Sequence, residues 1–217
     1  GEGVRGVPVA GEGLPLISLS FGLSILLFLF KTPFFAIICF FFFLFFLFFF
    51  RNPKRTPINN DDVFISPADG KVMDLGDVDE KEFINGRVKR VCIFMSPLDV
   101  HVNRAPCDGR IIKMQHRKGE FALAFKKDID KENERNYVLI DNGSEKILLV
   151  QIAGFLARRI IPYVKEGDVV KKAEPFGMIA FGSRVDIYFP QHYEIVVELG
   201  MKVKAGVTPL TKTKVNK

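Results

Sequence analysis

The sequence predicts a mainly β protein: a compact antiparallel β-sandwich or barrel-like domain preceded by an N-terminal hydrophobic helical hairpin. Three observations predict it. Residues 14–50 carry a single charge, Lys31. Beyond residue 55 short apolar runs recur at close spacing, punctuated by Gly, Pro, Asp and Asn. No long segment with a 3.6-residue apolar period lies between those runs, so the strand reading stands without competition from helix.

In chain order, "GEGVRGVPVAGEG" (1–13) reads as a flexible, Gly-rich lead. Its literal GxGxxG at 1–6 has no strand before it and no acidic partner after it, which removes a dinucleotide site. The next block, "LPLISLSFGLSILLFLF" and "FFAIICFFFFLFFLFFF" separated by "KTP", covers residues 14–50. As one helix it would reach about 55 Å, too long for a bilayer core of about 30 Å. Pro33 supplies a break, and each half then spans about 25 Å. A hairpin in the membrane is the first reading, and one span plus an interfacial helix is the second. The block is too long for a cleavable signal peptide. The cations of "RNPKR" (51–55), with Arg5 at the other end, place the flanks and the following domain on the cytoplasmic side.

Residues 51–217 form the predicted catalytic domain. Its strands are expected in "VFIS", "GKVMDLG", "RVKRVCIFM", "VHVNRAP", "GRIIKMQ", "NYVLID", "KILLVQIAG", "RRIIPYV", "FGMIAFG", "RVDIYFP" and "YEIVVELGMKV", with a short helix near 119–127. A chain of this length buries a core without staples. Three scattered cysteines, Cys39, Cys92 and Cys107, make no CxxC pair, so neither a disulfide framework nor a zinc site is expected, and no metal is assigned. The net charge of +6 suits an anionic lipid surface or headgroup. Basic-aromatic interleaving is missing, which argues against nucleic acid.

The pair Gly182-Ser183, between two strand-like runs, is ordinary turn punctuation when taken alone. Asp69 before Gly70 likewise reads as a turn aspartate. His101, in an alternating segment, suits a half-buried structural role as well as a chemical one. Asp99 is a turn or cap residue and a second choice for orienting a histidine. His116 and His192 sit in polar surroundings and read as surface residues. Arg158 and Arg159 are adjacent, so in a strand they face opposite ways and only one can reach a shared ligand.

Four stretches change the balance together: "ISPADGKV" (65–72), "FMSPLDVHVNRAPCDG" (94–109), "QIAGFLARRIIPYVKEGDVVKKAEPFGMI" (151–179) and "FGSRVDIYFP" (181–190). In this order, after "FFFRNPKRTP", they resemble the short form of the phosphatidylserine decarboxylase family, archaetidylserine decarboxylases included. The resemblance covers roughly residues 45–210. It implies a membrane-bound lyase that turns a serine phospholipid into the ethanolamine lipid and CO₂. Decarboxylation at Cα needs an electron sink. No Schiff-base lysine with a phosphate cradle suggests pyridoxal phosphate, and the family draws a pyruvoyl group from its own chain instead.

Here the resemblance places that event at Gly182-Ser183. Ser183 attacks the Gly182 carbonyl, the resulting ester eliminates, and hydrolysis leaves pyruvoyl at residue 183. Fragments 1–182 and 183–217 are expected to stay together, and self-association of the whole is left open. His101 is the expected base, oriented by Asp69 as in a serine–histidine–aspartate relay. Long-form relatives carry a second histidine where this chain has Arg104. Either His101 therefore serves both cleavage and decarboxylation, or Arg104 takes one role by binding an anion. Arg104, Arg158 and Arg159 are the candidates for the lipid phosphate, since a guanidinium binds it bidentately. Diacylglycerol and archaeal ether lipids differ far from the headgroup, and no residue distinguishes them.

One competing class remains. "VKEGDVVKKAEPFGMI" also resembles the hairpin of lipoyl- and biotinyl-type carrier domains, which would make the chain a non-enzymatic membrane-tethered carrier or adaptor. A carrier needs a modifiable lysine at the hairpin tip. Lys202 after Met201 lies past that place, and "SPLDVHVNRAP" is left unexplained.

Overall fold

Two apolar helices stand first in the computed structural model, which describes residues 8–119, 133–154, 159–179 and 183–213. The chain divides into two units, Gly1–Lys54 and Arg55–Lys217.

In the first unit, a 3-10 turn at Gly11–Gly13 leads into helix α1 (Leu14–Leu29), and α2 follows at Pro33–Phe49. Both helices begin with proline in the first turn, where its missing N–H costs nothing. The break falls at Pro33 as the sequence predicts. Lys31 takes a positive φ of 59° there, and Thr32 Oγ1 donates to the Leu27 carbonyl at 2.8 Å. Small residues line the contact between the helices. Ser20, Ser24 and Ala36 are buried, and Ser24 Oγ donates across to the Ala36 carbonyl at 2.9 Å. Small side chains of this kind let apolar helices approach closely. Most of the phenylalanines point outward, with Phe28 70%, Phe34 69% and Phe41 66% exposed, while Phe49 and Phe50 are buried. The open ends are stitched by Ala10 N–H to the Phe50 carbonyl and Asn52 N–H to the Pro8 carbonyl, both 2.7 Å.

The second unit is β throughout. Its strands are β1 (Gly70–Glu80), β2 (Gly86–Met95), β3 (Val102–Arg104), β4 (Gly109–Arg117), β5 (Arg135–Asp141), β6 (Lys146–Ile152) and β7 (Ile160–Pro162). They continue with β8 (Val169–Val170), β9 (Pro175–Ile179), β10 (Ser183–Pro190), β11 (Tyr193–Ile195), β12 (Lys202–Val203) and β13 (Thr211–Thr213). Eight form one sheet in the order β12-β1-β2-β10-β6-β5-β4-β8, with β3-β9-β7 and β11-β13 as smaller sheets. Every described pairing is antiparallel.

Alternation fixes the faces. Ser183, Val185, Ile187 and Phe189 of β10 are wholly buried on the inner face, where the last three join Ile93, Val138, Ile140 and Leu149 in the core. Phe176 and Ile179 of the small β3-β9-β7 sheet join the same core, which gives the predicted sandwich character. On the outer face Tyr137, Leu139, Leu148, Val150 and Ile152 pack with Phe83 and Ile84. That face also holds an ion pair in which Arg184 Nε and Nη2 each lie 2.6 Å from a carboxylate oxygen of Asp186.

Not every expected run is a strand. "VFIS" makes only an isolated bridge, Ile65 to Pro209, because its amides find partners one at a time: Phe64 N–H on Thr211 Oγ1, Ile65 N–H on the Pro106 carbonyl and Ser66 N–H on the Thr208 carbonyl. The expected short helix lies, apart from Gly119, outside the described residues.

Two consequences are directly measurable. A Cβ on Gly70 would stand 2.1 Å from the Phe94 carbonyl oxygen, at a φ of 156°. Backbone cannot give way as a side chain can, so Gly70→Ala is expected to lose about 2–3 kcal/mol in urea unfolding. Burial pushes the Cys107 thiol up to about 12 and raises that of Cys92 as well. Only the thiolate reacts, and a thiol held this far above its ordinary value is almost wholly protonated at pH 8. Iodoacetamide is expected to leave both thiols unmodified in native protein and to alkylate both in denaturant, as read by peptide mass.

Candidate active site

Asp69 is the last residue before β1 and is 9% exposed. Its carboxylate accepts three described hydrogen bonds from two donors. Arg55 Nη2 lies 3.0 Å from Oδ1 and 2.8 Å from Oδ2, and the Ala205 N–H donates to Oδ1 at 2.7 Å. Burial raises the Asp69 pKa above the usual carboxylate range, while the Arg55 charge and the two sets of hydrogen bonds pull the other way. Asp99 contributes a smaller like-charge push. The Asp99 side chain itself caps a turn, accepting the Ser96 N–H at 2.8 Å.

Arg104 belongs to the same polar cluster. Burial, then the neighbouring Arg55 cation, lower its pKa, and Asp69 raises it; a guanidinium stays charged at neutral pH regardless. Arg104 is 6% exposed, and its Nη1 donates to the Ala173 carbonyl at 2.8 Å. A register shift falls between Asn103 and Arg104, and such an irregularity re-aims a strand side chain. Gly206 makes room for the cluster: a Cβ there would stand 2.9 Å from Arg104 Cδ and 3.2 Å from Arg55 Cβ.

His101 is fully buried just ahead of β3. Its carbonyl accepts the Ile179 N–H at 3.3 Å, which ties it to the last residue of β9. In sequence β9 leads through residues 180–182 to Ser183. Gly182 lies outside the described residues, as does Arg158. Ser183 opens β10, fully buried, in register with Met95 of β2. Its Oγ is 3.5 Å from the Met95 sulfur.

The other candidates lie apart in character. Arg159 is exposed. His116 pairs with Glu134 at 3.2 Å and His192 with Glu145 at 3.5 Å. Lys172, beside the carrier-like turn, sends its ammonium to the Asn60 and Val63 carbonyls, each at 2.6 Å. Among the described residues no His, Cys, Asp and Glu side chains group as a metal site.

Sequence reasoning missed Arg55, which it assigned to the membrane flank, and three buried amides, Asn103, Asn136 and Gln151. Gln151 had a signal: it falls in phase with Ile147 and Leu149 on the core face of β6, where an apolar residue belongs.

A model of the phosphatidylserine decarboxylase family matches residues 42–211. A phosphatidylserine decarboxylase proenzyme of Syntrophus aciditrophicus is 41% identical over 205 residues, 93% of this chain and 96% of its own. One of Carboxydothermus hydrogenoformans is 45% identical over 166 residues, 76% and 78% of the two chains. A protein of Methanopyrus kandleri, provisionally named an archaetidylserine decarboxylase proenzyme, is 43% identical over 188 residues, 82% and 87%. The β domain described above is therefore that of an enzyme, a carboxy-lyase. The chain belongs to the phosphatidylserine decarboxylase family, and the carrier reading falls.

Proposed function

We propose that this enzyme converts a serine phospholipid, diacyl or archaeal ether, to its ethanolamine form with a pyruvoyl group made from Ser183, after the chain cleaves itself between Gly182 and Ser183. The observation that carries this reading is the place of Ser183 at the buried start of a central strand. Strand β10 pairs with β2 over eight positions and with β6 over five. A cut before Ser183 would leave fragment 183–217 threaded through the middle of the sheet, with Val185, Ile187 and Phe189 in the core. The fragments then stay associated without a covalent link.

The surroundings fit the group. Replacing the hydroxymethyl of Ser183 by a methyl sets an apolar group against the Met95 thioether, a contact that sulfur accommodates readily. A pyruvoyl carbonyl at residue 183 would supply an electrophile for the headgroup amine and a sink for the electrons released with CO₂. The chain's own residues do the rest. His101 is the base for the Ser183 hydroxyl and the proton donor to Cα of the product. Asp69, fixed by Arg55 and Ala205, sets the field around it. Arg104, with Arg158 or Arg159, attracts the phosphate.

The hairpin holds the enzyme at the membrane. Residues Gly11–Leu29 form a helix long and apolar enough to cross it, and α2 is shorter. The cations of residues 51–55 keep the catalytic domain on the cytoplasmic side.

Phenylhydrazine, which derivatises ketones, is expected to add to the 183–217 fragment and to abolish CO₂ release from serine lipid in vesicles. Full activity in protein whose small fragment is fully derivatised would overturn the pyruvoyl assignment.

A further inference from the structure

Three primary amides stand in a row on the inner face of the domain: Asn136 of β5, Gln151 of β6 and Asn103 of β3, none of them exposed. Asn136 Nδ2 donates to Gln151 Oε1 at 2.9 Å, and Gln151 Nε2 donates to Asn103 Oδ1 at 2.8 Å. Asn103 Nδ2 then donates to the Met95 sulfur at 3.5 Å, the same sulfur that Ser183 Oγ approaches at 3.5 Å. Every donor in the row points toward Met95. No amide in the row can turn over alone, because doing so sets N–H₂ against N–H₂ or carbonyl against carbonyl. In this direction the row ends on an N–H at the Met95 sulfur, which Ser183 Oγ also approaches.

This arrangement is costly. Asn136 Oδ1 is buried with no hydrogen-bond partner among the described residues, and a buried acceptor left unsatisfied is destabilising. Space is also reserved for it, since a Cβ on Gly177 would come within 2.9 Å of Gln151 Nε2. Apolar residues at these positions would pack without either concession.

We propose that the row supplies the hydrogen-bond donor for the Ser183 oxygen during chain cleavage, with Asn103 as the donor and Gln151 and Asn136 as positioning residues that hold its amide the right way round. The inference rests on cleavage at Gly182-Ser183. In the first step a bond forms between Ser183 Oγ and the Gly182 carbonyl carbon, the peptide C–N bond breaks, and the Ser183 nitrogen gains the hydroxyl proton. In the second, Ser183 Cα passes its proton to His101, the base assigned above, and the Cβ–Oγ bond breaks, its electron pair leaving on the Gly182 carboxylate. Negative charge grows on that oxygen, where an N–H stabilises it and a carbonyl opposes it. A thioether is a weak acceptor, so Asn103 and Ser183 leave Met95 for each other at little cost.

The test is the cleavage rate of freshly synthesised chain, followed by intact mass, with folding checked by thermal melting. Asn103→Ala is expected to slow cleavage about 10²–10³-fold, the usual effect of losing one such donor. Gln151→Glu keeps Asn103 but accepts at both oxygens, so it turns the Asn103 carbonyl toward Ser183. The same slowing is expected at neutral pH, with recovery as the pH falls and the new carboxyl protonates and donates again. A merely structural glutamine would show no such recovery. Asn136→Asp reverses the row from its far end and replaces Gln151→Glu if that chain fails to fold. Wild-type cleavage rates in folded Asn103→Ala, or pH-independent slowing in both carboxyl variants, would overturn the proposal. If the wild-type chain itself does not cleave, the underlying reading falls, and this inference with it.

Discussion

Ser183→Ala is expected to remain one uncut chain and to release no CO₂ from serine lipid, while folding as well as the wild type. Loss of function here separates cleanly from loss of structure. The hydroxyl's described contact is a thioether at 3.5 Å, a weak acceptor, so its removal costs less than about 1 kcal/mol. The β10 ladder and the core packing of Val185, Ile187 and Phe189 do not involve it. Without Oγ there is neither a nucleophile for the Gly182 carbonyl nor an oxygen to eliminate, so both the cut and the prosthetic group are lost together. The measurement is intact mass and CO₂ release alongside urea unfolding. A variant that unfolds at the wild-type midpoint, stays uncut and is inactive meets the expectation. A cut Ser183→Ala chain would place the scissile bond elsewhere.

The second large effect is on stability. Asp69→Ala strands Arg55, whose side chain is 11% exposed, and leaves the buried Ala205 N–H without its acceptor. Breaking a buried pair by removing one partner costs about 3–5 kcal/mol. That is a large share of a domain's stability, so the yield of folded, cleaved protein is expected to fall with it. Removing both charges, as Arg55→Met with Asp69→Leu, is expected to restore most of the unfolding free energy but not the activity. A double variant that is both stable and active would remove Asp69 from the site.

The pH dependence of this pair has a definite sign. Burial, the largest influence, holds the folded pKa of Asp69 above its unfolded value. Between the two values the folded state binds more protons than the unfolded one, so this group's contribution to stability falls as pH rises through that window. The stability of the wild type relative to Asp69→Asn is expected to decline over the same range in urea titrations. A rise would mean that Arg55 outweighs burial.

The apolar skeleton was legible in the sequence because its periods are simple. Pro33 marked the helix break, and β2, β5, β6 and β10 follow their alternation to within a residue or two. Position in the core was legible too, since Val185, Ile187 and Phe189 alternate with polar residues. The polar interior was not. Arg55 and Asp69 are fourteen residues apart in sequence and meet through the fold, with Arg55 close against Gly206. Ala205 reaches Asp69 from 136 residues away. A backbone donor supplied from so far along the chain leaves no trace in periodicity. Gln151 and Asn136 did leave one, as polar residues at core-phase positions of otherwise apolar strands. The likeness to a carrier hairpin has a related reason: "EGDVVKKAEP" encodes two tight turns flanking β8, with Gly167 and Ala173 at positive φ, and turns report backbone geometry rather than function.

The most direct test of the central claim is the intact mass of freshly purified wild-type protein under denaturing conditions. Two chains are expected, 1–182 and 183–217, the smaller beginning with a pyruvoyl group, co-eluting as one species before denaturation. A single uncut 217-residue chain in a preparation that decarboxylates serine lipid would contradict it.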